Sequence, residues 1–473
     1  MQHRAALKNG QSLTTARLAG LICVLVFATR GSIAGTVTVK PGESIQAAVA
    51  NANSGDTILV MPGTYNETIY IDKDNIHLSG VVAGGKWPVI DGEGQRNDGI
   101  LAGGHGVTIE HMWVRRFKGN GIMTQGSNNF QILDNVVEGP VFYAIFPQFG
   151  RNGLVAHNRV SHSEDAAIYV GMSDAIEVTG NETSESIIGI ETENSRDALI
   201  QGNFVHDNVI GIAVTKLPGL PVKSAQRTII RDNFVVNNNT TNFAPAGAVT
   251  AGAPAGTGIL LLGGDDATVE DNVIRNNDSV GIFVAETTYL LATPDAQLDP
   301  LPHRDSILRN LFFDNGANPR DSLKATLATA GRTTGVDVLA TGKGQDNCIS
   351  ERTSITGLGI SRFAECPADA TSRNVKSVRF DQPVPSATYT TEQKGRLTYM
   401  AVCTGCHTYD ARLIGPPMMT IKALYANNAE ALAEWIAKPT KKRPDLPEMP
   451  PQDYLPKEVR LAVANYILTE LSH

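Results

Sequence analysis

A repeat constrains this chain more than any other feature. Asparagine ends successive β-patterned segments at Asn135, Asn158, Asn181, Asn203, Asn233, Asn272 and Asn310, and the first three gaps are 23, 23 and 22 residues. A small residue followed by isoleucine recurs in step, at Gly121-Ile122, Ala144-Ile145, Ala167-Ile168, Gly189-Ile190, Gly211-Ile212, Gly258-Ile259 and Gly281-Ile282. In five of these seven cases the next asparagine of the series stands 14 residues on. Such a period is too short for a helix-pair repeat and has no leucine-rich pattern, but it fits one coil of three short strands and their turns. Stacked coils pair every central backbone group with a neighbouring coil, and small apolar side chains fill a narrow shared core. Asparagines at one corner of successive coils can tolerate a left-handed conformation and are expected to form a hydrogen-bonded ladder. The fold class expected is mainly β, a right-handed parallel β-helix over residues 35–345.

The segment from Gly42 to Ala50 reads as a short amphipathic helix covering the raw edge of the first coil. Thr57–Met61 is expected to be the first strand. Three departures from the period mark insertions, at about Lys216–Arg227, Asn237–Thr257 and Glu286–Arg304. Insertions on a solenoid project on one side and are where partners bind.

The first 34 residues carry Arg4, Lys8, Arg17 and Arg30 with no acid, then the apolar run Leu18–Thr29 and the small residues Ser32-Ile33-Ala34. This is the pattern of a cleavable secretory signal, which implies a periplasmic or secreted protein. A retained anchor is the alternative, although the run is short for a span, and nothing after it could cross a bilayer. Removing residues 1–34 moves the net charge from −8 to −12. That balance disfavours nucleic acid or anionic lipid as a partner.

Cys23 leaves with the signal, so four cysteines remain. Cys348 and Cys366 are expected to form a disulfide in an oxidising compartment, stapling a cap over residues 346–372. Residues 373–389 mix Pro, Ser, Asp and Lys without periodicity and read as a linker. From 390 onward the pattern is helical, and Thr390-Thr391-Glu392-Gln393 can cap a helix running into Cys403-Thr404-Gly405-Cys406-His407. Two thiols two residues apart reach both vinyl groups of one haem, and the next histidine then lies beneath the iron. By itself the pattern also suits a zinc or redox site.

Residues 392–473 resemble class I, cytochrome c551-like domains. The likeness rests on Gly395 and Tyr399 before the motif, Ile414-Gly415-Pro416-Pro417 after it, a helix through Trp435, Pro447-Glu448-Met449-Pro450-Pro451, and a terminal helix Lys457–Leu471. The resemblance implies one covalent haem c on Cys403 and Cys406, with His407 and Met449 as axial ligands. It implies one-electron transfer with a redox partner protein, another exported c-type cytochrome being a candidate. Met418 and Met419 are rivals to Met449 by residue type alone.

Residues 121–289 resemble a family of exported parallel β-helix repeat proteins related to the pectin-lyase-like superfamily. The matching runs are Ala166–Gly171, Gly189–Ser195, Lys216–Lys223, Asn242–Gly247 and Pro254–Leu260. This likeness implies a fold and a redox setting, but no reaction. Many β-helices process acidic polysaccharides through clustered carboxylates and basic residues, and the polar candidates here are Asp98, Lys118, Tyr143, His162, Glu164, Asp165, Tyr169, Glu191, Glu193, Lys216 and Lys223. Those around Glu164-Asp165, Glu191 and Glu193 lie about one coil apart and could converge near the first insertion; each is otherwise a solvated coil residue. Two functions stand: an electron carrier with the β-helix as docking or ligand-binding platform, or a carbohydrate-active β-helix with an accessory electron-accepting domain and a glycan ligand.

Overall fold

The computed structural model describes residues 34–291 and 295–471. The expected signal, including Cys23, lies outside the described residues. Residues from Ala34 onward form one compact unit. Its backbone winds through three sheets of 13, 11 and 10 strands, and every pairing between named strands is parallel. Each coil gives one strand to each sheet, so sequence neighbours lie in different sheets.

Register follows the repeat. In the 13-stranded sheet Ile132 sits over Val155, Val155 over Val178 and Val178 over Ile200, all fully buried. In the 11-stranded sheet Ile122, Ile145, Ile168, Ile190 and Ile212 form a second interior column. Each buried isoleucine contributes roughly 1.5–3 kcal/mol, so stability accumulates coil by coil. At the glycine members of the series before isoleucine, neighbouring backbones approach closely. A Cβ on Gly189 would lie 2.6 Å from the Gly211 carbonyl oxygen, and one on Gly211 2.5 Å from that of Gly258.

The asparagine ladder is continuous. Asn158 Oδ1 accepts from the backbone N and the Nδ2 of Asn135, both at 3.0 Å, and the pattern repeats through Asn181, Asn203, Asn233 and Asn272 to Asn310. The left-handed conformation, however, falls on the preceding residue: Asp134, His157, Gly180, Gly202, Asp232, Asp271 and Arg309 all have positive φ. The bend is placed on the residue before the asparagine, a glycine in two of the seven cases, which leaves the asparagine side chain to reach between coils. A second ladder, Ser186–Asn208–Asn238–Asn277–Asn315, was not foreseen.

The edges also differ from expectation. A strand at Thr36–Val39 precedes the cap helix and pairs with Thr57–Val60, so the latter is not the first. The helix Ile45–Asn51 is capped by Ser44 and buries Ile45 and Val49 over the end of the solenoid. At the other end short strands at Cys348–Ile349 and Ala364–Glu365 continue the large sheet, and Cys348 is bonded to Cys366. The three expected insertions lie between strands, and a further one carries the helix Asp321–Thr329.

Residues 373–389 form a strap laid back along the coils. Arg373 pairs with Asp232 and Asp271, Phe380 N donates to Asn152, Val384 N to Asn129, and Tyr389 Oη to the Gly126 carbonyl. The strap returns the chain to the first coils, where helices Thr391–Thr398, Met418–Leu424, Ala429–Ala437 and Lys457–Asn465 pack together. This helical segment buries Ala401, Leu455 and Val459 against Leu101, Met123 and Phe146 of the 11-stranded sheet. No helix among the described residues is long and apolar enough to cross a membrane.

Candidate functional site

Thr390 and Gln393 form a reciprocal capping box that starts the helix Thr391–Thr398. The helix widens into a π-turn over Tyr399–Cys403 and breaks into the turn bearing both thiols, with His407 N donating to the Cys403 carbonyl at 3.0 Å. Cys403 and Cys406 are not bonded to each other, and burial pushes both thiols up to about 12. His407 is 8% exposed. Its Nδ1 lies 2.7 Å from the Pro416 carbonyl oxygen. A carbonyl only accepts, so Nδ1 carries the hydrogen and Nε2 keeps its lone pair. Burial lowers the imidazole pKa and favours this neutral form. Gly415 makes the arrangement feasible, since a Cβ there would lie 2.3 Å from His407 Cε1.

These groups line two adjoining chambers. The inner one includes Cys403, Cys406, His407, Met418, Trp435 and Met449 in its wall. The outer one, of ≈ 350 Å³, shares Cys406, His407, Trp435 and Met449 and adds a basic rim of Lys118 and Lys441–Arg443. Met449 thus lines both chambers and Met418 only the inner, while Met419 is half exposed and lines neither. Trp435 Nε1 and Arg460 Nε, which belong to residues of the inner wall, are buried donors without an acceptor. An apolar slot with two free thiols, an imidazole lone pair, a thioether and orphaned donors fits a flat, largely apolar group that carries carboxylates.

The β-helix forms part of this wall. Asn97 lines both chambers, and Phe142 packs on Gly405, whose Cβ would lie 3.0 Å from Phe142 Cε2. Beside them Asp98 is fully buried and accepts a 2.6 Å hydrogen bond from Tyr454 Oη of the helical segment. Lys118, a candidate for β-helix chemistry, stands instead at the rim.

Of the other candidates, the structure brings together Asp165, Glu191, Glu193, Tyr143 and Tyr169. Tyr169 pairs in register with Glu191, its hydroxyl donates to Glu193, and Tyr143 stacks on it at 4.4 Å. Thr215 Oγ1 donates to Glu191 at 2.8 Å. Burial pushes Glu193 up to about 7 against the opposing Tyr169 hydrogen bond; burial, with repulsion from Glu193 added, pushes Asp165 up to about 7 and raises Glu191, which Asp165 also repels. Glu164 is partly buried nearby in sequence, raised by burial alone. The remaining candidates are committed elsewhere: His162 to Glu185, buried Lys216 to Asp265, and Lys223 to Asp295. No group of three or more His, Cys, Asp or Glu among the described residues is arranged to hold a metal ion. Asn97, the Asp98–Tyr454 bond and the Trp435 donor were missed by sequence reasoning, because each depends on docking between distant segments.

The model of the right-handed β-helix region matches residues 35–183 and 120–293. Among curated proteins none matches the chain. Similar solved structures include the Dettilon tailspike protein at 14% identity and TM-score 0.43, over 70% of this chain and 60% of the tailspike. An alginate lyase from Paenibacillus sp. is 15% identical at TM-score 0.33, over 50% of this chain and 94% of the lyase. A pectate lyase is 14% identical at TM-score 0.36, over 63% and 85%. These likenesses concern the fold. By the extent of the family match, the chain belongs to the right-handed β-helix family.

Proposed function

We propose that the chain is an exported c-type cytochrome, a periplasmic or secreted carrier of single electrons whose β-helix serves as docking and ligand-binding platform. Cys403 and Cys406 would hold one haem c as thioethers, and His407 and Met449 would take the axial positions. Bound there, the group supplies a one-electron couple with no open coordination site. The observation that carries the reading is His407, fixed through Nδ1 by Pro416 with its other nitrogen free, in a slot walled by two unbonded thiols. The protein's part is to exclude water, to hold the imidazole in one tautomer and to keep the Met449 turn in place, where Gln452 N donates to the Ile436 carbonyl. The partner is a redox protein, for which another exported c-type cytochrome is a candidate. Expression of the full chain in a cell competent for cytochrome maturation tests this. A pyridine-haemochrome signal of one haem per chain, lost in C403A/C406A, is expected, and its absence from the parent chain would overturn the proposal.

A second reading, carbohydrate chemistry on the β-helix, is favoured by the acid–tyrosine group. Carboxyls raised to about 7 can give or take protons near neutral pH. Turnover of oligouronides by C403A/C406A protein, abolished by Glu193→Gln, would establish it; inert C403A/C406A protein would leave the β-helix a platform.

A further inference from the structure

Asp98 belongs to the β-helix, just ahead of the strand Ile100–Ala102, and is 0% exposed. Its Oδ1 accepts from Asn120 N at 3.0 Å and Asn120 Nδ2 at 2.9 Å. Its Oδ2 accepts from Asn97 Nδ2 at 2.8 Å and from Tyr454 Oη at 2.6 Å. Among the described residues it has no lysine, arginine or histidine partner. Three of the four donors, an N–H and two amide NH₂ groups, cannot accept, so the site is built for a group that only accepts, a carboxylate. Burying an anion without a counter-cation costs several kcal/mol even when it is hydrogen-bonded, so a purely structural contact is poorly served by it. Neutral partners would join the two segments at lower cost. The location gives the charge a use: it acts on both Cys403 and Cys406, raising each thiol, and its partner Tyr454 follows Met449 by five residues.

We propose that Asp98 is a positioning residue of the electron-transfer centre: a carboxyl, supplied by the β-helix and hydrogen-bonded by Tyr454, whose ionised form holds the reduction potential below the value the helical segment alone would set. The inference rests on the reading that haem is attached at Cys403 and Cys406. An anion nearby favours the more positive, oxidised state of the centre, and the apolar surroundings weaken its screening. Burial raises the Asp98 pKa by more than its four donors lower it, so its ionisation is moved upward from the usual carboxylate range. The titratable groups that face it are Tyr454 and the two cysteines, which no longer titrate once alkylated as thioethers. If the carboxyl is protonated, the only partner able to receive its hydrogen is Tyr454 Oη. The potential of the parent protein should therefore fall as pH rises through the Asp98 ionisation.

The test is spectroelectrochemical titration of the full-length holoprotein and its D98N and Y454F variants from pH 5 to 9, with haem content checked by pyridine haemochrome. At the parent's high-pH midpoint, D98N is expected to show a reduced-to-oxidised ratio at least tenfold higher, about 59 mV for a one-electron couple, with no step in its pH profile. Y454F keeps the charge but loses one donor, so its pH step should move upward. Normal haemochrome with parent and D98N potentials that coincide across the pH range would overturn the inference. A parent chain without haemochrome would instead defeat the haem reading itself. If D98N fails to fold, the Y454F step decides: an unmoved profile refutes the inference.

Discussion

Gly415→Ala should disable the proposed haem site without replacing any of its proposed ligands. The added Cβ would lie 2.3 Å from His407 Cε1, 2.6 Å from Nδ1 and 2.8 Å from Nε2, so it presses on the ring rather than on one flexible tip. Ordinary carbon contacts start at about 3.5 Å, so the ring must retreat by about 1.2 Å. Where that retreat runs along the hydrogen bond, Nδ1 goes from 2.7 Å to about 3.9 Å from the Pro416 oxygen, beyond hydrogen-bond range, and in other directions the bond is bent. A buried imidazole N–H left without an acceptor costs roughly 1–3 kcal/mol. It also no longer fixes the tautomer, so Nε2 is not reliably free. The assay is haem per chain by pyridine haemochrome after expression with the maturation machinery, followed by the midpoint potential of what is recovered. At least a fivefold loss of haem per chain, or a shifted potential in the residual holoprotein, is expected. Met419→Ala, at a half-exposed position away from the chambers, should change neither. Parent-like haem content and potential in G415A would refute the claim that Gly415 and Pro416 set the imidazole.

Asn181→Ala should destabilise the β-helix by about 2–4 kcal/mol, because it orphans the buried Asn158 N–H and removes the bonds to Val155 O and Asn203 Oδ1; urea midpoints at constant slope measure this, and a loss below about 0.5 kcal/mol would contradict the ladder argument. Asp165 titrates at about 7 in the fold against 3.8 for a free side chain. The folded state therefore binds its proton more tightly, and stability should be full below pH 4 and decline as pH rises through 7. Asp165→Asn should flatten that part of the stability profile, and an unchanged slope would refute the assignment. Arg373→Ala releases the strap from Asp232 and Asp271 and should speed limited proteolysis between residues 373 and 389, with cleavage at the parental rate arguing against the strap.

What was legible in the sequence is what repeats or stays local. The Asn135–Asn310 series and the small-residue–isoleucine pairs reveal coil, register and both interior columns, because stacking demands the same chemistry at the same phase. The capping box at Thr390 and the CxxCH turn are local as well. The second ladder went unread because its members change from serine at 163 and 186 to asparagine from 208 onward, although both deliver an acceptor to the backbone N–H below. The strap went unread for the opposite reason. Its partners, such as Asp271 for Arg373, Glu177 for Ser377 and Asn129 for Val384, lie 102, 200 and 255 residues away, so no local pattern can announce it. Asp98 had only its charge to mark it, and Asn97 nothing.

One outward-facing row of the 11-stranded sheet relates the two candidate sites. In register it runs Leu101, Met123, Phe146, then Tyr169, Glu191 and Ala213, then Leu260, Phe283 and Leu339. Its first part is apolar where Ala401, Leu455 and Val459 cover it, and its last part is apolar where Ala253, Ala255 and Leu290 of the insertions cover it. Bare, either stretch would be an exposed apolar patch, which a soluble chain avoids unless something covers it. The row turns acidic only in the interval between these two covers, at Glu191, with Glu193 on the neighbouring row. Docking of the helical segment is therefore written into the β-helix surface, coil by coil. The same register sets the acid–tyrosine group at the edge of that docked segment, with Tyr143 stacked on Tyr169 and the adjacent Phe142 against Gly405 of the CxxCH turn. A ligand seated on those acids would lie next to the proposed electron-transfer centre, which would give a platform a reason to be joined to a carrier in one chain.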